Sequence, residues 1–125
     1  MYIPKTEKKI CCPLEWGLDV FGGKWKSRIL CVLHNNGKLR FGDLKKILPD
    51  ITDPVLSSML KELTKSGLIE RFQYNEIPPR VEYSLTEQGN SVIDVLQYIC
   101  KWSSEHSDYS EEKVFSYCKN CTIVK

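Results

Sequence analysis

Apolar residues along this chain follow two rhythms, and the change from one to the other organises it. Trp25, Ile29, Val32 and Leu33 recur at helical spacing. So do Val55, Leu56, Met59, Leu60 and Leu63, and later Val92, Val95, Leu96, Ile99 and Trp102. Between the last two sets the period shortens to two, with Val81, Tyr83 and Leu85 alternating with Glu82 and Ser84. A period near 3.6 predicts helices with one buried face, and a period of two predicts a half-buried strand.

Turn and cap residues place the boundaries. Pro13 suits the first turn of a short helix over 13–21, which Gly22-Gly23 interrupts. A second helix is expected from Lys24 to about Leu33, ending in the turn Asn35-Asn36-Gly37, and then a short extended piece over 39–41. A third, small helix over 42–48 stops at Pro49. The fourth is the best defined: Thr52 or Asp53 can cap it, Pro54 fits its first turn, and Gly67 stands where a left-handed cap residue belongs. Strands are expected over 68–74 and 81–85, joined by Asn75-Glu76-Ile77-Pro78-Pro79-Arg80. The two prolines remove two backbone donors and stiffen that loop. Thr86 and Glu87 suit the start of a long last helix.

This order predicts an α+β, mostly helical fold, a winged helix-turn-helix with additional helices at both ends. The chain is read as one domain over 1–125. The fourth helix packs one face and presents Ser57, Ser58, Lys61 and Lys65 on the other. A helix with a polar, basic outer face followed by a stiff two-stranded ribbon is the layout of a DNA reader.

Charge sharpens that reading. The net charge of +2 is divided unevenly, with +5 on residues 24–71 and −3 on residues 72–125. The basic excess ends with the candidate reader helix and forms the footprint expected of a polyanion-binding face. A composition of 42% hydrophobic and 27% charged residues excludes a disordered chain. The first ten residues include Lys5, Glu7, Lys8 and Lys9, unlike the apolar part of a signal peptide, and no apolar run is long enough to span a bilayer. A cytoplasmic protein without a membrane partner is therefore expected. A domain this small has too little core to cover both terminal helices, so part of their apolar surface is expected to pair with a second copy.

Several short motifs occur in a fixed order: Cys12-Pro13, Gly22-Gly23-Lys24-Trp25, Arg40-Phe41, Ile51-Thr52, Leu60-Lys61-Glu62-Leu63, Gly67-Leu68-Ile69, and Pro79-Arg80-Val81-Glu82-Tyr83-Ser84-Leu85-Thr86. Together they resemble the HxlR-type winged helix-turn-helix transcriptional regulators, relatives of the MarR group, across residues 11–105. The resemblance implies a homodimer formed by the first and last helices, bound to an inverted-repeat operator in double-stranded DNA. Thr52 stands where the family usually has Ser, which keeps a capping hydroxyl. Residues 106–125 extend past the resemblance.

On this reading the fourth helix lies in the major groove, with Thr52, Asp53, Pro54, Ser57, Ser58 and Lys61 as base or phosphate contacts and Lys65 on phosphate. Arg80, at the wing tip, is suited to a narrow minor groove. Lys24, Lys26 and Arg40 are expected to hold the backbone and set register. Trp25, Phe41 and Tyr83 are read as core.

Six cysteines are many for a cytosolic chain of this length. The family resemblance implies that Cys12 senses an oxidant or electrophile, and a thiol at a helix start lies at the positive end of the macrodipole, which favours thiolate chemistry. Cys11 beside it could share or replace that role. Cys118 and Cys121 form a CxxC outside any βαβ unit, which argues against a thioredoxin-type site. They could act as resolving thiols for Cys12. A zinc site shared with Cys11 and Cys12 lacks a second CxxC, and neither a metal nor another cofactor is expected. Cys31 and Cys100 are read as packing. An alternative switch is a small-molecule effector held in the dimer cleft by aromatics such as Trp16, Tyr98 and Trp102. Rivals from other classes are a winged-helix module that binds protein or RNA, and a small thiol oxidoreductase using Cys118 and Cys121. No enzyme activity is expected.

Overall fold

The computed structural model describes residues 12–106. Its elements follow one another as α1 (Pro13–Phe21), α2 (Gly23–Asn36), α3 (Phe41–Ile47), α4 (Asp53–Lys65), β1 (Ile69–Tyr74), β2 (Arg80–Leu85) and α5 (Glu87–His106). Every expected element is present, with shifts of a few residues at the ends. The second helix continues to Asn36, because Gly37 at positive φ closes it by donating to the Leu33 carbonyl at 2.8 Å. The third begins at Phe41 because the Asp43 carboxylate accepts the Arg40 N–H at 3.0 Å, satisfying a donor at that end.

Apolar residues from all five helices and β1 meet in one core. Ile29, Leu30, Val32 and Leu33 of α2 lie at its centre, with Leu44, Leu56, Leu60 and Leu63 against them. The predicted stripe of α5 divides. Val92, Ile93 and Leu96 face the core, whereas Val95, Tyr98, Ile99 and Trp102 are exposed. The last helix therefore has two apolar faces, and the chain itself covers only one.

β1 and β2 pair antiparallel from Ile69↔Leu85 to Tyr74↔Arg80. Leu39 adds a short third rung, exchanging backbone hydrogen bonds with Tyr83 at 2.8 and 3.0 Å. The ribbon is thereby fastened to the turn between α2 and α3. All six residues of β2 are half-buried, without the alternation expected of them. This strand is hydrogen-bonded along both edges, to β1 on one side and to Leu39 on the other.

The junction of reader helix, ribbon and α5 is tied by one side chain. The Thr86 hydroxyl donates to the Gly67 carbonyl at 2.6 Å and accepts the Gly89 N–H at 3.0 Å. Thr86 thus caps α5 and anchors the turn that ends α4, where Gly67 takes φ +81°.

Candidate nucleic-acid interface

Helix α4 exposes a polar strip because its apolar residues, Leu56, Leu60 and Leu63, all point into the core. Asp53, Ser57, Lys61 and Lys65 succeed one another at four-residue steps along the outside. Ser57, Lys61 and Lys65 line a cleft of about 550 Å³, which Leu60 and Thr64 share on α4 and Arg71 and Tyr83 close from the hairpin. Arg71 and Tyr83 are direct cross-strand partners, so the ribbon register sets the far wall of this cleft. Three cations on one concave surface make a track suited to a phosphate backbone.

The leading end of α4 is open. Thr52, Asp53 and Pro54 are exposed there, as is Ser58 farther along. Thr52 occupies the N-cap position with extended backbone, but its hydroxyl makes no cap hydrogen bond and stays exposed, contrary to the capping role expected of it. The helix end has another support: the Asp53 carboxylate, in the first turn, complements the positive end of the helix dipole. Lys45 of α3 reaches this end, pairing with Asp53 at 3.2 Å and donating to the Ile51 carbonyl.

Two residues depart from their expected roles. Lys26 is not a backbone clamp: it is only 8% exposed, its ammonium donates to the Asp19 carbonyl at 3.1 Å and lies 4.0 Å from Glu62. Its place on the inward side of α2 commits it to the interior. Arg80 is not at the wing tip. It opens β2 opposite Tyr74, with its guanidinium 4.0 Å from the Tyr74 ring centroid and 3.2 Å from the Glu76 carboxylate. The tip belongs to residues 75–79, where Ile77 is fully exposed.

Lys24 and Arg40 are exposed as expected, Lys24 lying 4.8 Å from the Trp25 ring centroid. Trp25, Phe41 and Tyr83 pack half-buried against the core. Arg71 and Lys45 were absent from the residues assigned by sequence. The exposed, alternating positions of β1 could have suggested Arg71, but the reach of Lys45 from α3 depends on how two helices pack.

Cys12 is exposed at the N-cap of α1, where its carbonyl accepts the Trp16 N–H at 3.2 Å. Cys31 and Cys100 are half-buried and packed against the core. Cys11, Cys118 and Cys121 lie outside the described residues. Among the described residues no cluster of three or more His, Cys, Asp or Glu is arranged to hold a metal, and no helix is long and apolar enough to cross a membrane.

The sequence pattern of the HxlR-like helix-turn-helix family matches residues 20–111. The chain belongs to that family. Among its relatives, an uncharacterised HTH-type transcriptional regulator of Methanothermobacter thermautotrophicus is 47% identical over 100 residues, covering 80% of this chain and 76% of the relative. The regulator YtcD of Bacillus subtilis is 44% identical over 117 residues, covering 94% and 92%. The oxidised structure of the redox regulator HypR superposes with a TM-score of 0.71 at 39% identity, over 78% of this chain and 100% of that one. Reduced YodB of B. subtilis gives 0.72 at 30% identity, over 82% and 100%. The HxlR-like chain is thus a DNA-binding transcriptional regulator with a winged-helix fold, and its relatives are named for regulation rather than catalysis.

Proposed function

We propose that this regulator acts in the cytoplasm as a homodimer on an inverted-repeat operator, and that oxidation or alkylation of Cys12 changes its grip. The observation that carries this reading is the position of Cys12. It is exposed at the head of the same helix that presents Leu14 and Leu18 to solvent, and α5 adds Val95, Tyr98, Ile99 and Trp102. Apolar faces of this extent on terminal helices suit a symmetric pairing of two copies. A modification at the start of α1 would then act at or beside the dimer contact, and a small tilt there would change the spacing of the two reader helices. Redox function in the similar HypR supports Cys12 as the sensor. Cys11 is the neighbouring candidate.

In the bound state α4 enters the major groove, with Thr52, Asp53, Pro54, Ser57 and Ser58 nearest the base edges and Lys61 and Lys65 toward phosphate. Lys24, Arg40 and Arg71 hold the flanking backbone, which fixes register without reading sequence. Arg80 stiffens the wing from its base. The test is a titration with the duplex upstream of its own gene, reduced and then treated with a mild thiol oxidant. Binding that changes on oxidation, and no longer does so in Cys12→Ser, supports the switch. Tight binding indifferent to oxidant removes it.

A second reading has its own observation. Val95, Tyr98, Ile99 and Trp102 form an open apolar face along α5, on which a small aromatic effector would pack in the cleft between two copies. Ligand-dependent release of DNA by the Cys12→Ser chain would favour that reading.

A further inference from the structure

Asp53 is the one acidic residue on the polar strip of α4, and it occupies the end that enters the groove first. Recognition helices contact base edges through their N-terminal residues. A bare carboxylate at that point faces the phosphates as a like charge. Lys45 alters the situation from a different helix: its ammonium is shared between the Asp53 carboxylate, at 3.2 Å, and the carbonyl of Ile51, two residues earlier. The pair cancels charge locally and restrains the carboxylate. It does not bury it, for the Asp53 side chain remains 71% exposed and keeps acceptor capacity toward the groove.

We infer that Asp53 is a specificity-determining residue that accepts a hydrogen bond from the cytosine amino group, with Lys45 as the positioning residue that makes a carboxylate tolerable there. This rests on α4 being the reader helix and deepens that reading. Major-groove chemistry selects cytosine. Guanine offers acceptors at N7 and O6 and thymine at O4, all of which repel a carboxylate, whereas cytosine offers the N4 amino donor. Adenine places its N7 acceptor beside its amino group, which suits an amide better than an acid. Asp53 therefore works mainly by exclusion, penalising the wrong base more than it strengthens the right one.

The experiment is selection from a pool of duplexes with randomised central positions, using the full chain under reducing conditions. Wild type is compared with Asp53→Ala, Asp53→Asn, Lys45→Met and Lys45→Arg, each checked for folding by circular dichroism. Wild type enriches cytosine at one position per half-site, with discrimination of about tenfold. Asp53→Ala loses that preference while keeping the others. Asp53→Asn shifts the same position toward adenine. Lys45→Met weakens binding to every duplex, and Lys45→Arg restores it. Unchanged base preferences in Asp53→Ala, or a proportional loss on all duplexes, overturn the inference while leaving the DNA reader intact. A wild-type chain that enriches no motif overturns both.

Discussion

Lys26 of α2 reaches back to the last turn of α1, where its ammonium donates to the Asp19 carbonyl at 3.1 Å. The same ammonium lies 4.0 Å from Glu62 on the reader helix. One buried cation therefore touches three helices, and it joins the helix headed by Cys12 to the helix proposed to enter the groove. Lys26→Met keeps the aliphatic stem and removes the charge. It should destabilise the fold by about 1–3 kcal/mol, since the Asp19 carbonyl loses its donor and the partly buried Glu62 carboxylate loses a neighbouring cation. Thermal unfolding measures this, at roughly 4–8 °C per kcal/mol for a domain of this size. A melting temperature equal to wild type would mean that the cost of desolvating the amine cancels its bonds.

Two glycines in helices should respond in opposite directions. A Cβ on Gly89 would lie 2.0 Å from the Leu68 carbonyl oxygen, which belongs to the backbone and cannot turn away. Gly89→Ala should cost about 3 kcal/mol and disturb the Thr86 cap. A Cβ on Gly42 meets nothing within 4 Å, so Gly42→Ala should stabilise α3 by about 0.5–1 kcal/mol. Urea midpoints of the two variants, measured side by side, test both signs.

The cations of the α4 cleft predict a salt signature. Arg71→Ala and Lys61→Ala should each reduce the slope of log K against log salt by ~0.9 per protomer, the share of one phosphate contact. Arg80→Ala should also weaken binding at low salt, because it leaves the Glu76 carboxylate of the wing tip without this cation. Affinity measured on one duplex at three salt concentrations decides. An unchanged slope in Arg71→Ala removes the hairpin wall from the interface.

The two terminal helices predict an assembly effect. Leu18→Glu and Trp102→Glu each place a charge on an apolar surface that is exposed in the single chain, at 53% and 63% respectively. Neither should lower the stability of the monomer fold appreciably. Both should shift sedimentation from a species of twice the chain mass to the monomer, and DNA affinity should fall with it. A wild-type chain that sediments as a monomer at micromolar concentration would remove the dimer from the proposal.

The helices and the hairpin were legible in the sequence because they depend on local properties: the period of the apolar residues, Pro54 in a first turn, Gly67 at positive φ, and a Pro-Pro loop between alternating strands. The outer strip of α4 followed from the same period, since a residue that cannot face the core must face outward. The charge asymmetry was legible as well, but only as a sum. The environment of each cation was not. Lys24 and Lys26 stand two residues apart in one basic helix, and about 200° of helical rotation sends one to solvent and the other to the interior. Arg80 looked like a tip residue until the strand register placed it opposite Tyr74. Lys45 gained its role only when the packing of α3 brought its ammonium to Asp53. Periodicity and capping act over a few residues and can be read along a chain, whereas a side chain's charge partner depends on which distant segments come to lie beside it, and only the tertiary structure decided that.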